Sequence, residues 1–239
     1  YEIGVRLVGS EMCIRDSFKT LYRNVGGFFI HYKHNMKILG IGKNYVNDKT
    51  EISTYKNGKQ IIFSKPTTSL VLANEDVPYP SITKQLVYEV ELVAKIGKQG
   101  KDIDQATAAS YISELAVGID FTAKDVLSLY RETKHPWDLA KGFDGAAPIS
   151  SFMPISDFND LNDINFDLSI NGELKQVGNT DLMIYNFSEI IAYVSKFMTL
   201  EPGDLIFTGT PASGTGETQV GDHYQAKLEG ELLLDFKMI

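Results

Sequence analysis

The chain has 239 residues, of which 43% are hydrophobic, 11% aromatic and 23% charged, with a single cysteine. These are globular proportions, which exclude wholesale disorder, and the lone Cys13 excludes a disulfide framework or a cysteine-ligated zinc site. A net charge of −8 argues against a nucleic-acid surface, and no apolar run approaches the ~20 residues of a membrane span, so a cytoplasmic protein with neither nucleic-acid nor membrane partners is expected.

Tyr1–Asn35 shows no clear period of either kind. Tyr1–Ser17 (YEIGVRLVGSEMCIRDS) lacks the basic start, apolar core and small-residue cleavage site of a signal peptide. It resembles a translated sequencing-adapter tail. Residues 1–35 are therefore expected to be a non-native or disordered extension, with a genuine but divergent extension as the alternative. Met36 is a credible start, which leaves residues 36–239 as one domain. The first 35 residues hold five basic and three acidic side chains, so −10 falls on the remainder.

Lys37–Gly42 reads as a strand, and Ile61–Lys65 as a second one ended by Pro66. Leu86–Ile96 is the clearest strand, with Tyr88, Val90, Leu92, Ala94 and Ile96 alternating onto one face. Asp104–Leu115 reads as a helix with Asp104 at its N-cap. A strand over Gly118–Phe121 and a helix over Ala123–Glu132 follow. Phe166–Ile170 and Glu173–Gln176 flank Asn171-Gly172, a two-residue hairpin signal. Asn186–Lys196 reads as a helix with Phe187, Ile190, Ile191 and Val194 on its apolar face. Leu205–Thr208, Tyr224–Leu228 and Leu232–Lys237 complete the strands. Many short strands with a few helices predict a β-rich α+β fold.

Glu89 and Glu91 are two apart in the best strand, so both point to one face with Cα atoms roughly 6.6 Å apart. Two carboxylates so placed repel unless water or a cation separates them. Asp120 lies in the apolar run Val117–Phe121 and needs a partner if it is buried. Three carboxylates without cysteine or histidine suit a hard cation, Mg2+ or Mn2+; a solvated strand face is the alternative. The loop Gly209–Thr215 has two glycines five apart but Thr215 in place of the lysine a phosphate loop requires, so nucleotide binding is rejected. Trp137 reads as a core residue.

Tyr88-Glu89-Val90-Glu91-Leu92, Gly118–Asp125, Pro136–Asp144, Asn171-Gly172-Glu173, Gly178-Asn179-Thr180 with Met183-Ile184, and Leu200–Asp204 leading into Thr208-Gly209-Thr210-Pro211 together resemble the signature of the fumarylacetoacetate hydrolase family. The resemblance runs from Met36 nearly to Ile239. It implies a mixed β-roll with a few flanking helices, a single catalytic domain over residues 36–239, and assembly as a homodimer. It also implies Mg2+ or Mn2+ on Glu89, Glu91 and Asp120. Family members hydrolyse acylpyruvates, decarboxylate oxaloacetate or isomerise dienedioates, all through enolate-like charge. By the same resemblance, Lys141 of the Ala-Lys-x-Phe motif becomes a catalytic residue, and Thr210 and Lys65 contact the substrate.

One segment departs from the pattern. The family's Gly-Arg-Asn-Tyr lid, followed by a His and then a Glu, reads here as Gly42–Glu51, with Lys43 in place of Arg, Asp48 at the His position and Glu51 retained. Lys43 is assigned to substrate binding, and Asp48 and Glu51 to proton handling. An unperturbed Asp, near pKa 3.9, is a weak base at neutral pH, and repulsion from Glu51 at i,i+3 is the one way read here to raise it. The sequence thus predicts a metal-dependent enzyme on a 2-oxo or β-diketo acid, by C–C hydrolysis or decarboxylation. The alternatives are an isomerase or tautomerase of a hydroxydienedioate-type substrate, and a catalytically impaired homologue that binds metal and ligand.

Overall fold

The computed structural model describes residues 36–239; the expectation for residues 1–35 lies outside them. The chain opens with β1 (Ile38–Gly42), a short helix α1 (Ile52–Tyr55), β2 (Ile61–Lys65), β3 (Leu70–Val71), β4 (Leu86–Tyr88) and β5 (Val90–Ile96). Next come α2 (Gln105–Ala108), β6 (Ile112–Ile119), β7 (Thr122–Ala123), α3 (Lys124–Thr133), α4 (Asp138–Lys141), β8 (Ala147–Pro148) and β9 (Met153–Pro154). The rest is β10 (Asn165–Ile170), β11 (Glu173–Asn179), α5 (Phe187–Val194), β12 (Leu205–Phe207), β13 (Gly216–Glu217), β14 (His223–Leu228) and β15 (Glu231–Lys237). Mixed sheets with few helices make this the expected α+β fold.

A six-stranded sheet runs in the order β2-β1-β12-β5-β6-β9, and a four-stranded sheet in the order β11-β10-β14-β15. In the first, β1 pairs with β12 in parallel, while β5 is antiparallel to both of its neighbours. The alternation expected of β5 puts one face in the core, but its neighbouring residues Leu92 and Val93 are both sealed from solvent. Both faces of this central strand are covered, which suits its nearly continuous apolar sequence.

The Leu86–Ile96 strand is broken at Glu89, and the break positions the site. β4 belongs to a three-stranded sheet, β13-β4-β7, and β5 to the six-stranded one. The antiparallel partner turns the same corner: β6 ends at Ile119, and β7 begins at Thr122 in the smaller sheet. The register Val90 to Ile119 and Val87 to Thr122 sets Glu89 against Asp120, and the Asp120 amide donates to the Glu89 carbonyl at 2.8 Å. Two paired strands thus change sheets together and bring two carboxylates to the junction.

Asp104–Leu115 is not one helix. Asp104 does cap α2 by accepting from the Ala106 amide at 2.7 Å. A 3-10 turn, Ala109–Tyr111, then ends the helical segment, and Ile112 enters β6. Pairing of Ile112–Ile119 with β5, and burial of Ile112, Leu115 and Val117, override the local preference of the Ala-rich stretch. The hairpin forms as expected: Asn171 (φ +55°) and Gly172 (φ +79°) both take the left-handed conformation of a type I′ turn. α5 carries a capping box: Asn186 Oδ1 accepts from the Glu189 amide, and Glu189 Oε2 from the Asn186 amide, each at 3.1 Å. Its Phe187, Ile190, Ile191 and Val194 are buried, as their spacing requires.

Candidate metal centre and its cleft

Glu89, Glu91 and Asp120 each offer a carboxylate oxygen within 4.8 Å of the other two. They lie on the floor of a cleft also lined by Lys43, Thr122, Lys124, Leu127, Arg131, Trp137, Lys141 and Thr210. The cleft has about 90 Å³ of room for water-sized groups, several times the roughly 10–15 Å³ that one water needs.

Glu91 is 2% exposed, and its Oε2 accepts from the Gly209 amide at 2.8 Å. Gly209 has φ +102°, and a Cβ there would lie 2.8 Å from Cβ of Asn44, so only glycine turns this amide inward. The loop that resembled a phosphate cradle thus serves a carboxylate. Burial, followed by the charges of Asp120 and Glu89, pushes the Glu91 carboxyl well above its ordinary value.

Asp120 is fully buried between two ammonium groups. Lys141 Nζ lies 2.5 Å from its Oδ2, and Lys65 Nζ 2.7 Å from its Oδ1. Burial alone would raise its pKa, but the lysines outweigh burial and hold it below the usual carboxylate range. Three converging carboxylates, two of them buried, with no histidine or cysteine among them, fit a hard divalent cation. Glu89, Glu91 and Asp120 are the residues that would hold it.

Lys141 ends α4, and its Nζ also donates to Glu89 Oε2 at 2.7 Å and Thr122 Oγ1 at 2.6 Å. Burial pulls its pKa down, but the Asp120 and Glu89 charges more than offset this and keep the group an ammonium. Lys65, expected beside substrate, does not line the cleft. Its side chain is 1% exposed and reaches Asp120, the carbonyls of Ala146 (3.0 Å) and Phe121 (3.4 Å), and the carbonyl of Lys141. Burial pulls its pKa down, and Asp120 opposes this. Pro66 ends β2 immediately after it, so the strand delivers this cation beneath the carboxylates rather than to the cleft.

Thr210 lines the cleft, and its hydroxyl accepts from Gln176 Nε2 at 2.9 Å. Gln176, 1% exposed, also accepts from the Val90 amide at 2.9 Å and so ties the Thr210 loop to β5. The sequence reading missed it because a lone glutamine on a surface hairpin carries no signal. Lys43 lines the cleft with φ +56°.

Asp48 and Glu51 do not line the cleft. Asp48 is exposed and caps the 3-10 turn Lys49–Glu51, accepting from the Thr50 amide at 2.8 Å and the Thr50 hydroxyl at 2.7 Å. Those bonds, the hydroxyl first, lower its pKa. The upward shift expected from Glu51 does not occur, because local hydrogen bonding to the charged form dominates at this solvated position. Trp137 is half-buried and lines the cleft instead of filling the core. The cleft-facing residues of α3, Lys124, Leu127 and Arg131, were also missed, although their i, i+3, i+7 spacing marks one helix face.

Among the described residues no helix is long and apolar enough to cross a membrane. The fumarylacetoacetate (FAA) hydrolase C-terminal family model matches residues 37–234. The chain is 37% identical over 201 residues to mitochondrial oxaloacetate tautomerase FAHD1 of Bos taurus, covering 84% of this chain and 90% of that protein. It is 37% identical over 195 residues to mitochondrial oxaloacetate decarboxylase of Dictyostelium discoideum, covering 81% and 89%. The crystal structure of fumarylpyruvate hydrolase from Pseudomonas aeruginosa in complex with Mn2+ and pyruvate superposes with a TM-score of 0.77 at 31% identity, over 92% of this chain and 99% of that one. The chain is an enzyme of the fumarylacetoacetate hydrolase family.

Proposed function

We propose that residues 36–239 form one catalytic domain that acts, with Mg2+ or Mn2+, on a 2-oxo or β-diketo acid through enolate-like charge. The observation that carries this reading is the set of three carboxylates converging on one cleft beside the Lys141 ammonium. A divalent cation held by Glu89, Glu91 and Asp120 would supply Lewis acidity to the oxo and carboxylate oxygens of such a substrate. The chain's own groups do the rest. Lys141 stays charged and stabilises negative charge as it builds on the substrate oxygen. Thr210, fixed by Gln176, orients the substrate from the opposite loop. Lys43 lies at the mouth and attracts the anion. Lys65 holds Asp120 ionised from below.

Within that class, the placement of Asp48 favours decarboxylation, which removes CO2 without abstracting a proton, over C–C hydrolysis. Hydrolysis needs a base to activate water, and a carboxylate held below its ordinary pKa outside the cleft is a poor one. His135 and His223 do not line the cleft either. The name of the decarboxylase relative supports the same ordering. Homodimer assembly rests on the family resemblance, and cytoplasmic placement on composition, beside relatives named as mitochondrial; light scattering and cell fractionation test these two points.

The enzymatic reading is tested by assaying the purified protein, with Mg2+ or Mn2+ and then with chelator, against oxaloacetate, an acylpyruvate and a hydroxydienedioate. Metal-dependent decarboxylation of oxaloacetate exceeding acylpyruvate cleavage is expected. Ligand-induced stabilisation with no turnover of any of the three would replace the enzyme by a binder.

A further inference from the structure

α3 presents one stripe to the cleft, formed by Lys124, Leu127 and Arg131. The first of these follows the Asp120–Ala123 corner directly. Arg131 lies two turns further on, roughly 10 Å along the helix axis at ~1.5 Å per residue. Its guanidinium stands over the Trp137 ring, 5.0 Å from the centroid, and Trp137 is backed by Phe63 at 6.4 Å between ring centroids. Among the described residues no carboxylate pairs with Arg131.

The cleft therefore has two poles. At the floor, the cations serve the carboxylate centre and the oxo-acid end it would receive: Lys141 contacts Glu89, Asp120 and Thr122, and Lys65 contacts Asp120 and three carbonyls. At the far end, a planar cation rests on an aromatic platform with its donor edge unused. Leu127 and the Trp137 ring give the wall between the poles apolar surface. A guanidinium without a carboxylate partner keeps its N–H fork available for one, which it binds in a bidentate manner that an ammonium cannot match.

We propose that Arg131, seated on Trp137, is a specificity-determining residue that selects substrates carrying a second anionic group at the end remote from the oxo acid. This rests on the proposed binding of the oxo-acid end at the carboxylate centre. The apolar wall accommodates the carbon chain, and Arg131 receives the distal carboxylate. A substrate of the same length ending in a methyl group leaves Arg131 in water and gains nothing from it.

The test is calorimetric binding with Mn2+ present. Two dicarboxylates, 2-oxoadipate and 2-oxosuberate, are compared with their monocarboxylate partners, 2-oxohexanoate and 2-oxooctanoate. Wild type should prefer the dicarboxylate of at least one length by about tenfold or more, and Arg131→Gln should shrink that ratio below about threefold, as expected for one charge-assisted contact. Arg131→Lys should keep part of the preference. Equal wild-type affinities, or equal weakening of both classes by Arg131→Gln, would overturn the proposal and assign Arg131 to packing on Trp137. Repeating the titrations without Mn2+ separates this idea from its foundation. A dicarboxylate preference that persists with every affinity unchanged on removing Mn2+ supports the Arg131 site and counts against the metal-centred reading. Mn2+-dependent binding without the preference removes the Arg131 site and leaves the metal-centred reading standing.

Discussion

The Lys65 ammonium lies 2.7 Å from Oδ1 of Asp120, and neither side chain has more than 1% of its surface exposed. This pair is the hidden half of the centre: one cation faces the cleft through Lys141, and the other is sealed below. Removing one partner of a buried pair leaves an uncompensated charge. Lys65→Met should therefore destabilise the metal-free protein by about 3–5 kcal/mol, a Tm loss on the order of 6–20 °C for a domain of this size. Saturating Mn2+ should recover part of the loss, because a cation bound at Asp120 replaces the missing charge. Thermal denaturation with and without Mn2+ checks this, and an unchanged Tm in the variant would show that the pair does not matter.

Lys141 competes with any metal for the same two carboxylates, Glu89 and Asp120. Lys141→Met should lower kcat by about a hundredfold or more, in the range seen when one donor to a developing oxyanion is removed. It should not weaken Mn2+ binding. Steady-state kinetics and Mn2+ titration on the same preparation make the comparison, and loss of both properties together would make Lys141 a scaffold for the metal instead.

Asp48 is tied into its own turn through Thr50. Asn caps a helical turn as well as Asp does. Asp48→Asn should therefore retain thermal stability, and Asp48→Ala should lower it. The pH–rate profile of Asp48→Asn should superimpose on that of the wild type between pH 5 and 8. A limb present in wild type and missing in Asp48→Asn would restore a proton-handling role to this residue.

Asp125 anchors the segment before β4 to the start of α3. It accepts from the Thr83 hydroxyl and from the Lys84 amide at 3.1 Å. Partial burial raises its pKa, but these bonds outweigh burial and leave it below the ordinary value. A depressed folded-state pKa means that the stabilisation is complete above the unfolded value, near 3.9, and is lost as pH falls through the lower folded value. The difference in urea midpoint between wild type and Asp125→Ala should be constant from pH 8 to 5 and shrink below about pH 4. A difference that instead grows on acidification would contradict the assignment.

Much of the site was legible because its parts are local. Glu89 and Glu91 alternate in one apolar strand, Asp120 stands out in another, and the Asn171-Gly172 turn and the Asn186 capping box announce themselves within a few residues. What escaped depends on partners distant in sequence. Ile112–Leu115 follows an Ala-rich helical start and becomes strand only through pairing with β5. The break at Glu89 is visible only once β4 and β5 are seen to join different sheets. Lys65 is assigned to the substrate by its motif, and only the folded chain shows three carbonyls and Asp120 closing over it. Asp48 was read by its position in a motif, whereas Thr50, two residues away, sets its chemistry.

Isothermal titration of Mn2+ into wild type and Glu91→Gln tests whether Glu89, Glu91 and Asp120 hold a divalent cation. Gln preserves an acceptor for the Gly209 amide while removing one of three converging charges. One saturable site per chain is expected in wild type, weakened by at least about a hundredfold in Glu91→Gln, beyond what loss of a mere outer contact causes. The variant's metal-free Tm should be equal or higher, because a costly buried charge is gone. Absence of saturable binding in wild type, or unchanged affinity in Glu91→Gln, would contradict the assignment of Glu89, Glu91 and Asp120 as a metal centre.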